Sequence, residues 1–110
     1  MNQIINDKRT NEQKQLDQYF VMGKDTFMSG WGHAENKVSY AVWVCKDKND
    51  RDKLKEWVKS RGDIKDILTG TTKRLEFYIK AMAISNEKLN DGTGQHISIY
   101  QTTKNHPAFN

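Results

Sequence analysis

Between Val38 and Cys45 the chain is almost continuously apolar. In an extended conformation Val38, Tyr40, Val42 and Val44 share one side, and Ser39, Ala41, Trp43 and Cys45 share the other. A strand that is apolar on both faces belongs inside a sheet with cover on each side. After Lys46 the spacing changes. Asp47 or Asn49 can cap a helix starting near Asp50, where acidic residues complement the helix dipole. Leu54, Trp57 and Val58 then share a helical face, and Gly62 supplies the left-handed residue that stops it. A short strand at 64–68 completes a crossover unit, which predicts two parallel strands joined by a right-handed connection.

The flanks are less regular. Residues 1–8 read as a loose start. Thr10 and Gln13 have the capping-box spacing, predicting a short helix from Asn11 to Phe20 with Leu16, Tyr19 and Phe20 on one side and Gly23 at its end. Thr69–Thr72 reads as a turn. From Arg74, Leu75, Phe77, Ile79, Ala81 and Ala83 alternate with Glu76, Tyr78 and Lys80. The helical spacing of Leu75, Ile79, Met82 and Ala83 is the alternative, but the period of two and the density of β-formers favour a strand over 74–84. A polar loop, Ser85 to Gln95, would join it in a hairpin to a last strand, His96 to Thr103, with Ile97 and Ile99 inward. As a sheet edge, that strand could pair with a second copy, so the expected state is a monomer or a homodimer. The expected fold is α+β: a small, mainly antiparallel sheet of four or five strands, one main helix packed on one face, and a short N-terminal helix.

At 110 residues, 35% hydrophobic and 29% charged, the chain supports a single domain, 1–110, with a modest core and with 1–8 and 104–110 loosely ordered. One cysteine excludes an internal disulfide, and no Cys/His spacing matches a structural zinc site. No apolar run approaches the ~20 residues of a membrane span, and the N-terminus lacks the apolar region of a signal peptide. A soluble, cytoplasmic protein without membrane contact is expected. The net charge of +4 arises entirely within residues 45–80, which hold eleven basic and seven acidic side chains. Arg51, Lys55 and Lys59, four apart, form a stripe that Arg61, Lys65, Lys73 and Arg74 could extend toward phosphates, with Tyr40, Trp43 or Tyr78 stacking bases on an open sheet face. Asp52 and Glu56 interleave with the stripe, which favours a solvated, neighbour-paired helix face.

Candidate chemistry is sparse. Cys45 with His33 or His96 would make a nucleophile–base pair, but a cysteine closing an apolar strand is more often a small core hydrophobe. His33, His96 and His106, with Asp91 or Cys45, match no metal-ligand spacing, so neither metal nor cofactor is expected. Gly30-Trp31-Gly32 could cradle a ligand with its backbone. Phosphate-binding glycine loops lead into helices, however, and here a strand follows, which favours a bend with Trp31 packed; an exposed Trp31 would instead suit an interface anchor.

Phe27-Met28-Ser29-Gly30-Trp31-Gly32, with Ala34, Lys37, a strand ending in Cys45 and a helix ending Lys59-Ser60-Arg61, resembles a group of small proteins encoded by bacteriophages and prophages. The likeness covers about residues 26–68, and Asp63-Ile64-Lys65-Asp66 is more polar than that pattern. It implies a phage accessory protein in the cytoplasm of an infected bacterial host, and it supplies no catalytic residue. The resulting expectation is a non-enzymatic protein that binds a host macromolecule, a protein or nucleoprotein complex, for counter-defence of the anti-CRISPR kind. Its interaction residues would be Phe27, Trp31, Arg51, Lys55, Lys59 and Arg61. A nucleic-acid-binding module using the basic 45–80 region is the alternative, and an enzyme built on Cys45 is a third.

Overall fold

The structure, a computed structural model, describes residues 3–25, 37–81 and 94–109. Its elements are β1 (Gln3–Asp7), α1 (Asn11–Lys14), β2 (Tyr19–Asp25), β3 (Lys37–Cys45), α2 (Lys48–Arg61), β4 (Ile64–Thr71), α3 (75–81) and β5 (Gly94–Gln101), with 3-10 turns at Thr72–Arg74 and Pro107–Phe109. The strands form one sheet in the order β1-β5-β3-β2-β4. β2 pairs antiparallel with β3 and β4, whereas β5 pairs parallel with β1 and β3. The class is α+β, with the antiparallel half of the sheet on one side of β3 and the parallel half on the other.

β3 is the central strand, and its two apolar faces build two cores. Val42 and Val44 join Phe20, Met22, Ile97 and Ile99 under Leu75 and Ile79 of α3. Ala41, Trp43 and Cys45 join Val21 and Ile64 under Leu54 and Val58 of α2. Leu54 and Val58 are fully buried, each contributing about 1.5–3 kcal/mol by leaving water. α2 has the expected ends. The Asp47 side chain accepts from the Asp50 N–H at 2.9 Å, and Gly62 takes φ 77°. β3 and β4 run in the same direction because each is antiparallel to β2, which lies between them.

Several expectations are corrected. The Thr10–Gln13 capping box is present in both directions, at 3.1 and 2.9 Å, but the helix stops at Lys14 and buries nothing. Tyr19 and Phe20 instead begin β2, whose Val21 and Met22 face opposite cores; Leu16, expected on the same apolar side, is 56% exposed. Gly23 does not end a helix. It sits in β2 at the point where the register with β4 shifts, and a Cβ there would overlap Ile64 Cγ2 and lie 3.1 Å from the Lys65 carbonyl oxygen. Asp66, opposite this shift, takes φ 54°. β4 runs on through Thr69-Gly70-Thr71, the expected turn.

Residues 75–81 are helical, not part of the strand expected over 74–84; 82–84, and 85–93 of the expected loop, lie outside the described residues. Leu75 and Ile79 are buried one helical turn apart, Glu76 and Lys80 pair at 3.3 Å, and Phe77 is 69% exposed where alternation would have buried it. The apolar sheet face behind Phe20 and Ile97 requires that cover. With α3 a helix, β5 has no hairpin partner there. It lies between β1 and β3, so β1 and β4 are the edges and the route to a dimer through 96–103 is closed. Residues 3–7, expected to be loose, form the edge strand β1. Within 104–109, also expected to be loose, Ala108 and Phe109 pack on the core beneath α2. No helix among the described residues is long and apolar enough to cross a membrane.

Candidate ligand cleft on the sheet

The face of the sheet under α2 is only partly covered. α2 packs mainly on β4 and β2, leaving the β3–β5 side to the C-terminal segment. There the parallel register sets Ser39 beside His96, Ala41 beside Ser98 and Trp43 beside Tyr100. Ser39, Ala41 and Ser98 are small, so the paired strands leave a hollow where larger side chains would interlock. The resulting cleft encloses about 660 Å³, with Arg61 from the end of α2 and residues 101–106 as further lining.

Aromatic contacts hold its rim. The Arg61 guanidinium lies 5.4 Å from the Trp57 ring and 5.9 Å from the Trp43 ring, and its Nη2 donates to Asp63 Oδ2 at 2.9 Å. Trp43 and Trp57 meet edge to face at 6.2 Å, and His106 meets Trp57 at 4.6 Å. His106 Nδ1 accepts from the Ala108 N–H at 3.1 Å, which leaves the ring proton of the neutral form on Nε2. Burial lowers the His106 pKa below its usual value. The far side is anchored by Thr102, whose N–H and hydroxyl both donate to the Val44 carbonyl, at 2.8 and 2.7 Å. Behind it, Gln101 and the buried Gln18 exchange reciprocal carboxamide bonds at 2.9 and 3.0 Å.

Several lining groups have unused hydrogen-bonding capacity. Arg61 Nε and Nη1, the His96 imidazole, the Ser98 and Tyr100 hydroxyls and the Asn105 carboxamide meet no protein partner among the described residues. Among the described residues, none of the cleft-lining side chains is a carboxylate. The arrangement is a polar cavity with aromatic and cationic walls, suited to holding a ligand with acceptors and a ring.

Of the expected interaction residues that the structure describes, Arg61 lines this cleft and Arg51, Lys55 and Lys59 do not; Tyr40, Trp43, His96 and His106, weighed from sequence for other roles, line it as well. Phe27, Trp31 and His33 lie outside the described residues. Arg51 stands over the Tyr19 ring at 5.6 Å and bonds Asp52 at 3.0 Å, Lys59 lies 4.0 Å from Glu56, and Lys55 is half-buried between them. Lys73 pairs with Asp17 at 3.5 Å. Arg51, Lys59, Arg61 and Lys73 therefore sit in separate local pairs, with Arg51 and Arg61 toward opposite ends of α2, while Lys55, Lys65 and Arg74 form no ion pair among the described residues. Of the three rings proposed for stacking, Tyr78 packs on Phe20 at 5.8 Å, Tyr40 packs against the α3-side core, and Trp43 is only 6% exposed. Tyr100, at 37%, is the accessible ring.

Cys45 is fully buried, and its thiol has only a weak contact to the Asp47 carbonyl at 3.8 Å. Burial, reinforced by the negative charges of Asp50 and Asp47, pushes its pKa up to about 12, the opposite of what a nucleophile needs. No group of three or more metal-ligating side chains occurs among the described residues. The signal for the cleft was present as polar His96, Ser98 and Tyr100 alternating with apolar Ile97 and Ile99, but their partners on β3 depend on a long-range register. The fold thus defines an α+β domain with a mixed sheet covered by α2 on one face and α3 on the other. Against models of protein families, curated proteins and solved structures, the chain matches none.

Proposed function

We propose that this chain is a non-enzymatic binding protein that engages a host macromolecule through the cleft-bearing face of its sheet. The observation that carries the reading is the cleft itself, where small residues on β3 and β5 open a cavity edged by Arg61, Tyr100 and polar groups without protein partners among the described residues. The burial of Cys45 adds support, since it disarms the one nucleophile that the sequence offered. In this reading, which takes up the resemblance of residues 26–68 to phage-encoded proteins, the action is inside an infected bacterium, with a host protein or nucleoprotein complex as target and counter-defence of the anti-CRISPR kind as its purpose. Phe27 and Trp31 belong to this reading as interface anchors.

The alternative, a nucleic-acid surface along α2, has less support because Arg51 and Lys59 each have a carboxylate within 4.0 Å, and Arg61, with donors to spare, stands apart at the end of the helix. Such pairing weakens the field that phosphate binding needs. The test is capture of host partners by the wild-type chain, by Ser98→Arg, which fills the cleft, and by Trp31→Ala. A specific partner lost on Ser98→Arg, with melting temperature unchanged, is the expected result. Equal recovery by the wild type and Ser98→Arg would remove the cleft from the function.

A further inference from the structure

We infer that the cleft between β3, β5 and the end of α2 takes a nucleotide unit, either as a free mononucleotide or exposed on a single strand. The inference rests on the binding role proposed above and names the chemistry that the cleft would recognise. Three features converge on that class. The first is charge: among the described residues Arg61 is the one permanently charged side chain lining the cavity and no carboxylate lines it, and Asp63 is hydrogen-bonded to Nη2 of the guanidinium. Nε and Nη1 remain as donors for a phosphate, and stacking on Trp43 and Trp57 holds the fork in place.

The second feature is a ring surface. Among the described residues Tyr100 is the most exposed aromatic side chain on this face, with the buried Trp43 beside it in register. A base has a π-face that the Tyr100 ring can meet. The third is mixed hydrogen bonding. Ser98, Asn105 and His96 each both donate and accept, and none has a side-chain partner among the described residues. The edge of a base presents donors and acceptors together, which a simple anion does not. A volume of about 660 Å³ falls within the range of small-ligand sites and leaves room for base, sugar and phosphate.

The test is a calorimetric and Trp-fluorescence titration of the full chain with each of the four mononucleotides, and with single-stranded RNA and DNA octamers, at low salt. Saturable binding of at least one of these is expected. Arg61→Gln should weaken it tenfold or more, because a charge-assisted bond to phosphate is lost. Tyr100→Ala, at an exposed position that carries little of the core, should weaken it about fivefold or more by removing the stacking face. Binding of mononucleotides with a shallow salt dependence assigns the free ligand, whereas octamer binding with a steep dependence assigns the strand. No saturable binding of any of these probes at millimolar concentration overturns the inference. So does binding that both variants retain while melting like the wild type. Partner capture lost on Ser98→Arg, together with no nucleotide binding, would leave the binding role standing and remove the nucleotide alone.

Discussion

The two readings of Cys45, nucleophile and core hydrophobe, make opposite predictions about alkaline stability. Its thiol is fully buried among Val21, Trp43, Leu54 and Val58, and its pKa rises from 9.0 to about 12 through burial and the charges of Asp50 and Asp47. The folded state therefore keeps a proton that the unfolded chain sheds above pH 9. A raised folded pKa contributes stability that is complete below the unfolded value and lost as pH climbs toward the folded one. The slope is about −1.4 kcal/mol per pH unit, which amounts to roughly 2 kcal/mol lost at pH 10.5 relative to neutrality.

Cys45→Ala removes this titration and leaves a small void, costing about 1 kcal/mol at pH 7 by analogy with single-methylene deletions. The wild type should thus be the more stable protein at pH 7 and the less stable at pH 10.5, with the order reversing near pH 10 on this arithmetic. Urea unfolding of both proteins under reducing conditions across this range measures it, and the tyrosine and lysine titrations cancel in the difference. A difference that stays constant within about 0.5 kcal/mol would refute the burial argument. Thiol labelling gives a second readout. At pH 8 the native thiolate fraction is on the order of a thousandfold below that of an ordinary cysteine, so labelling should wait for unfolding.

Other consequences follow from the corrected elements. Ile79→Ala should cost about 2–5 kcal/mol and Phe77→Ala within about 0.5 kcal/mol, measured by denaturant midpoint; comparable losses would restore the strand reading of 74–84. Gly23→Ala drives a methyl into Ile64 and the Lys65 carbonyl, so a loss of about 1–3 kcal/mol is expected, with hydrogen exchange accelerated first in β4; an unchanged midpoint would contradict this close approach. The lowered pKa of His106 means that folding favours its neutral form, so the contribution is complete above the unfolded value of 6.5 and lost as pH falls through that value toward the folded one. Acidification should release residues 106–109 from α2, read as a Trp57 fluorescence change absent in His106→Gln, and a pH-independent signal in the wild type would count against it.

What could be read from the sequence was what local physics decides. The double-faced apolar run of β3, the Asp47 cap, the left-handed Gly62 and the Thr10–Gln13 capping box each depend on residues within a few positions, and each is in the structure. The misreadings fell where distant chain decides. Tyr19-Phe20-Val21-Met22 is apolar on both sides, which suits a helix beginning at the capping box equally well until β3 and β4 flank it. Leu75 and Ile79 satisfy either period, and the need to cover Phe20, Met22, Ile97 and Ile99 selects the helix. β1 is short and bounded by polar residues, so its strand character comes from β5, some ninety positions away.

The cleft belongs to this second kind, and its origin can be followed. Fourteen residues make α2 about 21 Å long, and Gly62 ends it before it can cross the whole sheet. That stop leaves Arg61 at the border of the uncovered β3–β5 surface, where Trp43 and Trp57 fix its guanidinium. Beyond the border, the register lays Ala41 beside Ser98, and the C-terminal turn closes the far side through His106 on Trp57. A helix one or two turns longer would lay side chains over Ala41 and Ser98 and fill the hollow. The length of α2, set by one glycine, is therefore what converts a covered sheet face into a site.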